Sequence, residues 1–210
     1  MDSYQVTFQT WNKVASVYQE KYMDLDLYND SYDRFCQLVE KQGAKVFEIA
    51  CGPGNITRYL LSKRPDLQID AIDVAPNMIE LARKNVPGAH YQVMDVRELD
   101  KVAGTYDALM CGFCMPYLSR EDCAKLFNDC SHLLVPGGIA YFSTIEGNYS
   151  QSRYETASTG DQAYVYYYEE AELRQALEQA GFEVVEVTRK PFTKANGTSS
   201  TDLILLVKKL

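Results

Sequence analysis

Short apolar runs alternate with stretches whose apolar residues recur every three to four positions. Trp11, Val14, Ala15, Tyr18 and Tyr22 follow the i, i+3, i+4, i+7, i+11 spacing, and Tyr32, Phe35, Cys36 and Val39 repeat it, which predicts amphipathic helices ahead of the first strand. Strands are expected at Lys45 to Ala50, Gln68 to Asp73, His90 to Met94, Tyr106 to Cys111, Gly138 to Thr144, Glu183 to Arg189 and Asp202 to Lys208. The intervening helices carry start and stop signals. Asn55 to Ser62 follows a glycine turn, and Pro76 suits a first helical turn, where a missing N–H costs nothing. Ser119 with Asp122 reads as a capping box, with Pro136, Gly137 and Gly138 expected to end that helix. A last helix starts at Glu170, carries Leu173, Ala176, Leu177 and Ala180 on one face, and stops at Gly181. Strands alternating with helices predict an α/β fold on a mostly parallel sheet.

One segment breaks this rhythm. Ile145 to Gln162 is polar and rich in Ser, Thr, Gly and Tyr, and Tyr164, Tyr166 and Tyr168 then alternate like one face of a strand. A hairpin or flap over residues 145–168 is expected, with a helical cap over residues 1–42, all within a single domain of residues 1–210.

Composition narrows the class. With 46% hydrophobic and 24% charged residues the chain has the proportions of a globular protein with a real core, which excludes disorder as its main state. The 21 Lys and Arg against 29 Asp and Glu give a net charge of −8, and no basic patch interrupts it, so neither nucleic acid nor an anionic membrane is an expected partner. The longest aliphatic stretch, Leu203 to Val207, is far short of the roughly 20 residues that span a bilayer. Six cysteines without a secretory signal read as reduced thiols of a cytoplasmic protein. Cys111 and Cys114 form a CxxC without the second half of a zinc site, and the histidines are two, His90 and His132, so core packing is expected there and no metal.

The most informative stretch runs from Val46 to Asn55, an apolar strand that ends in Cys51, Gly52, Pro53, Gly54 and opens a helix. Glycines serve where backbone must approach a ligand or take positive φ, and the helix start offers free amides. Asp73 ends the second strand and can take both hydroxyls of a ribose; Asp95 follows the third, placed to accept the exocyclic amine of adenine. Three such strand ends describe an adenosine site. The dinucleotide pattern GxGxxG fails in both registers, because Thr57 and Asn55 stand where its last glycine would be. Glu48 also suits a ligand with a cationic end better than a pyrophosphate.

These segments resemble the class I S-adenosylmethionine-dependent methyltransferases. The matching stretches are EIACGPG (Glu48 to Gly54), AIDVAPNMIELAR (Ala71 to Arg83), MDVREL (Met94 to Leu99), YDALMCGF (Tyr106 to Phe113), LLVPGGIAYFS (Leu133 to Ser143) and YYYEEAELRQALEQAGFEVVEV (Tyr166 to Val187). The likeness runs from about residue 44 to the C-terminus and is greatest to the small-molecule branch that includes ubiquinone- and menaquinone-type enzymes. It implies a Rossmann-like three-layer sandwich with strand order 3-2-1-4-5-7-6, the last strand antiparallel. It further implies S-adenosylmethionine as cofactor and a small-molecule acceptor. The methionyl end would lie over Ala50, Gly52 and Gly54 beside Glu48, with Asp73 on the ribose and Asp95 with Val96 on adenine. Val74 and Met78 would flank the ring, Cys111 would contribute backbone, and Tyr18 and Tyr22 would cap the cofactor.

The chain departs from the family pattern at Ala50, where glycine is common, and the CGFCMPY segment offers no catalytic acid or base. Tyr117, Glu146 or a flap tyrosine is the nearest candidate base, and no catalytic residue is assigned. An NAD-dependent oxidoreductase of Rossmann type and a catalytically inert S-adenosylmethionine-binding module are the alternatives, and the chain reads as a monomer or a homodimer. Sixteen tyrosines supply aromatic faces for a sulfonium or a flat acceptor.

Overall fold

A computed structural model of the protein describes residues 3–156, 159–193 and 197–210. The N-terminal periodicity yields α1 (Ser3–Lys13) and α2 (Ala15–Tyr22) rather than one helix, followed by α3 (Asn29–Leu38). The junction is a kink at Val14, bridged by Val14 N–H to Thr10 O and Tyr18 N–H to Val14 O, both 2.9 Å. Then come β1 (Lys45–Ile49), α4 (Asn55–Lys63), β2 (Gln68–Asp73), α5 (Pro76–Asn85), β3 (His90–Val93), β4 (Tyr106–Cys111), α6 (Arg120–Leu133) and β5 (Leu134–Glu146). A hairpin of β6 (Arg153–Thr156) and β7 (Gln162–Val165) lies within the expected flap, of which Ala157 and Ser158 fall outside the described residues. The chain closes with α7 (Glu170–Gln179), β8 (Phe182–Thr193) and β9 (Ser199–Lys209).

The main sheet runs β3-β2-β1-β4-β5-β9-β8. With the hairpin strands set aside, this is the expected 3-2-1-4-5-7-6. β1 to β5 pair in parallel, and β9 runs antiparallel to both neighbours. Helices cover both faces. Phe47, Leu109 and Phe142 point to the layer of α6 and α7, where they meet Phe127, Leu173 and Leu177. Val46, Met110 and Tyr141 point to the other, against Phe35 of α3, Leu60 of α4 and Ile79 of α5. Alternation along each strand thus builds three layers.

Local signals hold at most helix ends. Ser119 Oγ accepts from Asp122 N–H at the start of α6, Pro76 opens α5, and Gly181 at φ 84° follows the end of α7. Pro136, Gly137 and Gly138 are the exception. They do not end α6, which closes at Leu133; they form the irregular start of β5, where the register against β4 shifts between Tyr106 and Ala108. Proline and glycine are tolerated in a strand where the ladder is irregular.

α1 is tied to the hairpin and to α5. Thr10 Oγ1 donates to Gln162 O at 2.6 Å, and Tyr164 N–H donates to Thr7 Oγ1 at 3.0 Å. Ala15 packs with Ala75 and Met78 beside Trp11 and Tyr18. Among the described residues no helix is long and apolar enough to cross a membrane.

Candidate functional site

The site is built on the turn that leaves β1. Ala50, Gly52 and Gly54 all take left-handed backbone, at φ 56°, 55° and 85°. The three together swing the chain from strand into α4 and leave its first amides uncapped. At Gly54 a Cβ would also touch Ala82 Cα at 3.4 Å, so glycine serves both conformation and close packing. Ala50 adopts the same region with its Cβ in place.

Asp73 at the end of β2 reaches this turn. Its Oδ2 accepts from Gly52 N–H at 2.9 Å and its Oδ1 from Ala75 N–H at 2.8 Å. Burial raises its carboxyl to about 6 against those stabilising amides. Glu48 lies fully buried one strand away. Its Oε2 accepts from Thr57 Oγ1 at 2.6 Å while Oε1 has no partner, and burial raises it to about 8. In the ligand-free protein at neutral pH this carboxyl is therefore largely protonated, and a nearby cation would favour its ionised form.

Asp95, at the end of β3, is clamped by Arg97. It accepts from Arg97 N–H at 3.0 Å and chelates the Arg97 guanidinium through both oxygens at 2.5 to 3.0 Å. That guanidinium lies 4.2 Å from the ring centroid of Tyr4 and 5.4 Å from that of Phe8, both on α1. Val96, next in sequence, is buried.

Over the turn stands a run of rings: Tyr117 to Trp11 at 5.2 Å, Trp11 to Tyr18 at 5.6 Å, and Tyr18 to Tyr22 at 4.5 Å. Tyr18 Cε1 lies 3.7 Å from where a Cβ on Gly52 would sit, and Trp11 Nε1–H is buried without a partner. These rings wall one side of a cavity of about 490 Å³ at the C-terminal edge of the sheet. Ala50, Ile56, Gly112, Phe113, Ile145 and Ala163 contribute to the rest of its lining.

The predicted residues thus divide by position. Ala50, Tyr18 and Tyr22 line the cavity. Gly52, Gly54 and Asp73 gather at the turn behind Tyr18, Met78 packs with Ala75 beneath Trp11 and Tyr18, and Val74 is half-buried beside them. Glu48 and Cys111 are fully buried in the sheet, while Asp95 and Val96 sit under the Arg97 clamp at the end of β3.

The candidate bases change meaning. Burial pushes the Tyr117 phenol well above its ordinary value, so it stays protonated. Glu146 is held by Arg189 at 2.6 and 2.8 Å. His90 is exposed at the start of β3, 3.2 Å from Asp70, and His132 Nδ1 contacts Asn128 O at 2.7 Å within α6, so both lie away from the turn. Cys111, Cys114, Cys123 and Cys130 are buried as free thiols in one core layer.

Two features escaped sequence reasoning. Phe113, just past β4, takes φ 54° with its N–H donating to Ser143 Oγ at 2.9 Å, a conformation uncommon for an aromatic residue. Asp202, on β9 opposite Ile145 of β5, is buried and accepts from Tyr28 O–H at 2.6 Å, and both residues line the cavity. The available signal was one carboxylate heading the aliphatic run Leu203 to Val207.

Comparisons with known proteins agree with this geometry. A family profile described as a methyltransferase domain matches residues 46–138. The ubiquinone biosynthesis O-methyltransferase of Coxiella burnetii (strain Dugway 5J108-111) is 26% identical over 166 residues, 72% of this chain and 69% of that protein. The crystal structure of magnesium protoporphyrin IX methyltransferase from Synechocystis PCC 6803, with bound S-adenosylhomocysteine, superposes with a TM-score of 0.76 at 13% identity, covering 100% of both chains. The Burkholderia thailandensis 1,6-didemethyltoxoflavin-N1-methyltransferase gives 0.74 at 19% identity over 98% of this chain and 88% of its own.

Proposed function

We propose, from the premise that this chain is a class I S-adenosylmethionine-dependent methyltransferase, that it methylates a small, largely apolar acceptor held in the cavity beneath α1, α2 and the β6–β7 hairpin. The observation that carries the reading is the cavity itself, which opens beside the glycine turn and is walled by aromatic rings. The relatives named above bear the names of enzymes for ubiquinone biosynthesis and for a toxoflavin precursor, which favours a small molecule here.

The residues fit the cofactor. An unpartnered buried acceptor, Glu48 Oε1, and an unpartnered buried donor, Trp11 Nε1, match the ammonium and carboxylate of a methionyl end. The left-handed turn at Ala50, Gly52 and Gly54 would hold that end by backbone, with Cys111 adding backbone from β4. Asp73, with lone pairs to spare beyond two amides, would take the ribose hydroxyls. Asp95 and Val96 would bind adenine between Val74 and Met78, the amine sharing the carboxylate with Arg97. Tyr18 and Tyr22 would cover the cofactor, so that α1 to α3 act as a cap and the hairpin as a flap.

When bound, the cofactor supplies a methyl group already activated on a sulfonium. The chain's own residues then have to orient the acceptor and exclude water, which suits a lid of aromatic rings better than a catalytic motif. No residue is assigned as a catalytic acid or base for this reading. The net charge of −8 favours an acceptor among small metabolites over nucleic acid. Incubation with tritiated methyl donor and a fractionated cell extract tests this: label should appear in the small-molecule fraction. Label confined to RNA or protein would overturn it.

A further inference from the structure

Among the described residues, left-handed backbone falls on eight glycines and on two residues that carry a Cβ, Ala50 and Phe113. Both of these line the cavity. Glycine takes this conformation freely, whereas a residue with a Cβ loses stability by holding it. Strain of this kind persists only where the surrounding structure fixes it, and it gathers at ligand sites. At Phe113 the fixing is visible. Its N–H donates to the hydroxyl of Ser143, a fully buried residue of β5, at 2.9 Å, and its ring centroid lies 5.0 Å from that of Tyr28. One residue earlier, Gly112 brings the chain so close to Ile56 that a Cβ there would overlap Ile56 Cδ1.

A turn that served the fold alone would be more stable with glycine at position 113, since the bond to Ser143 comes from backbone. The chain instead keeps a ring there, half-buried on the cavity lining. That ring continues into a run with Tyr28 and Tyr32, neighbours at 5.0 and 6.4 Å from the start of α3. The run from Tyr117 to Tyr22 described above is a second one on the same lining. Aromatic pairs prefer offset or edge-on contact and add to what apolar area alone provides.

We propose that the acceptor is a planar aromatic molecule and that the Phe113 ring is the face that selects it, held on the lining against the preference of its own backbone. The proposal rests on the methyltransferase reading above. An aliphatic acceptor of equal size would fill the same space and leave the ring contacts unmade. The lining therefore separates flat molecules from puckered ones, beyond separating apolar from polar. A ring held by its faces also has its edge substituents fixed in one plane, which is the orientation that in-line transfer to a group on that edge requires.

Calorimetric titration of the protein saturated with S-adenosylhomocysteine tests this with two probes of one carbon skeleton, the flat 2-naphthol and the puckered decahydro-2-naphthol. 2-Naphthol should bind about tenfold tighter, although the saturated alcohol is the more apolar of the two. Phe113→Leu, which keeps apolar bulk on the same backbone, should cut that preference about threefold or more while the affinity for S-adenosylhomocysteine stays unchanged. Phe113→Gly should unfold at higher urea than Phe113→Ala, because the alanine alone keeps the strain. No binding of 2-naphthol, equal or tighter binding of the saturated probe, or a preference that survives in Phe113→Leu would each overturn the proposal. So would a Phe113→Gly variant less stable than Phe113→Ala, or a Phe113→Leu variant that loses S-adenosylhomocysteine, which would put the ring against the cofactor. Failure of the unmodified protein to bind S-adenosylhomocysteine would instead overturn the methyltransferase reading.

Discussion

Glu48 and Asp73 carry the sharpest consequences at the scale of single residues. Both are carboxyls whose folded values are raised by burial, to about 8 and about 6. A raised acid stabilises the folded state below its unfolded value, and this contribution is lost as pH rises through the folded value. For Glu48 the window runs from 4.5 to about 8, at about 1.4 kcal/mol per pH unit. Glu48→Gln cannot ionise, so it should match the unmodified protein in urea unfolding near pH 5 and exceed it by a few kcal/mol near pH 9. Equal stability across that range would mean that Glu48 is not held neutral. Ala50 holds a left-handed backbone that costs a residue with a Cβ about 1–2 kcal/mol. Ala50→Gly should therefore raise stability by about 1 kcal/mol after the glycine's greater freedom when unfolded is subtracted, read as a shift in the urea midpoint. The turn and Asp73 were legible in sequence because each sits at the end of a strand whose pattern is local. Tyr28 and Asp202 stand 174 positions apart, and only the closing of β9 against β5 brings them together.

Among the elements, α1 and the β6–β7 hairpin stabilise one another. Thr7 is 1% exposed, and its hydroxyl both donates to Ser3 O and accepts from Tyr164 N–H. Thr7→Val keeps the shape and strips this acceptor from a strand amide, which costs about 1–3 kcal/mol for a buried donor left unmade. Hydrogen exchange should show the amides of β6 and β7 losing protection while β1, β2 and β4 keep theirs; unchanged exchange in the hairpin would contradict the coupling. Strand and helix positions followed from periodicity almost throughout. The Pro136, Gly137 and Gly138 stretch misled because its local signal is that of a helix end, whereas pairing with β4 draws the segment into a strand. The N-terminal pattern likewise gave no sign of the kink at Val14, which lets α2 turn Tyr18 and Tyr22 toward the glycine turn.

The whole molecule places its site where the sheet topology reverses. Chain connections leave β1 in one direction toward β2 and β3 and in the other toward β4 and β5, and the crevice at that switch is the ordinary location for a ligand in such sheets. The order of seven strands, the glycine turn and Asp73 all converge there, and the cavity adjoins them on the side of β4, β5 and β9. The cavity's existence was not legible from sequence, since its walls come from α1, α2, the hairpin and the ends of β1, β4, β5, β8 and β9 at once. The switch point is where S-adenosylmethionine should be recognised. Calorimetric titration with S-adenosylhomocysteine, with NADH as control, tests it on the unmodified protein and on Asp73→Ala. Micromolar binding of S-adenosylhomocysteine, weakened about tenfold to a hundredfold by Asp73→Ala and absent for NADH, is the expected result. No binding of S-adenosylhomocysteine, or equal binding of NADH, would contradict it.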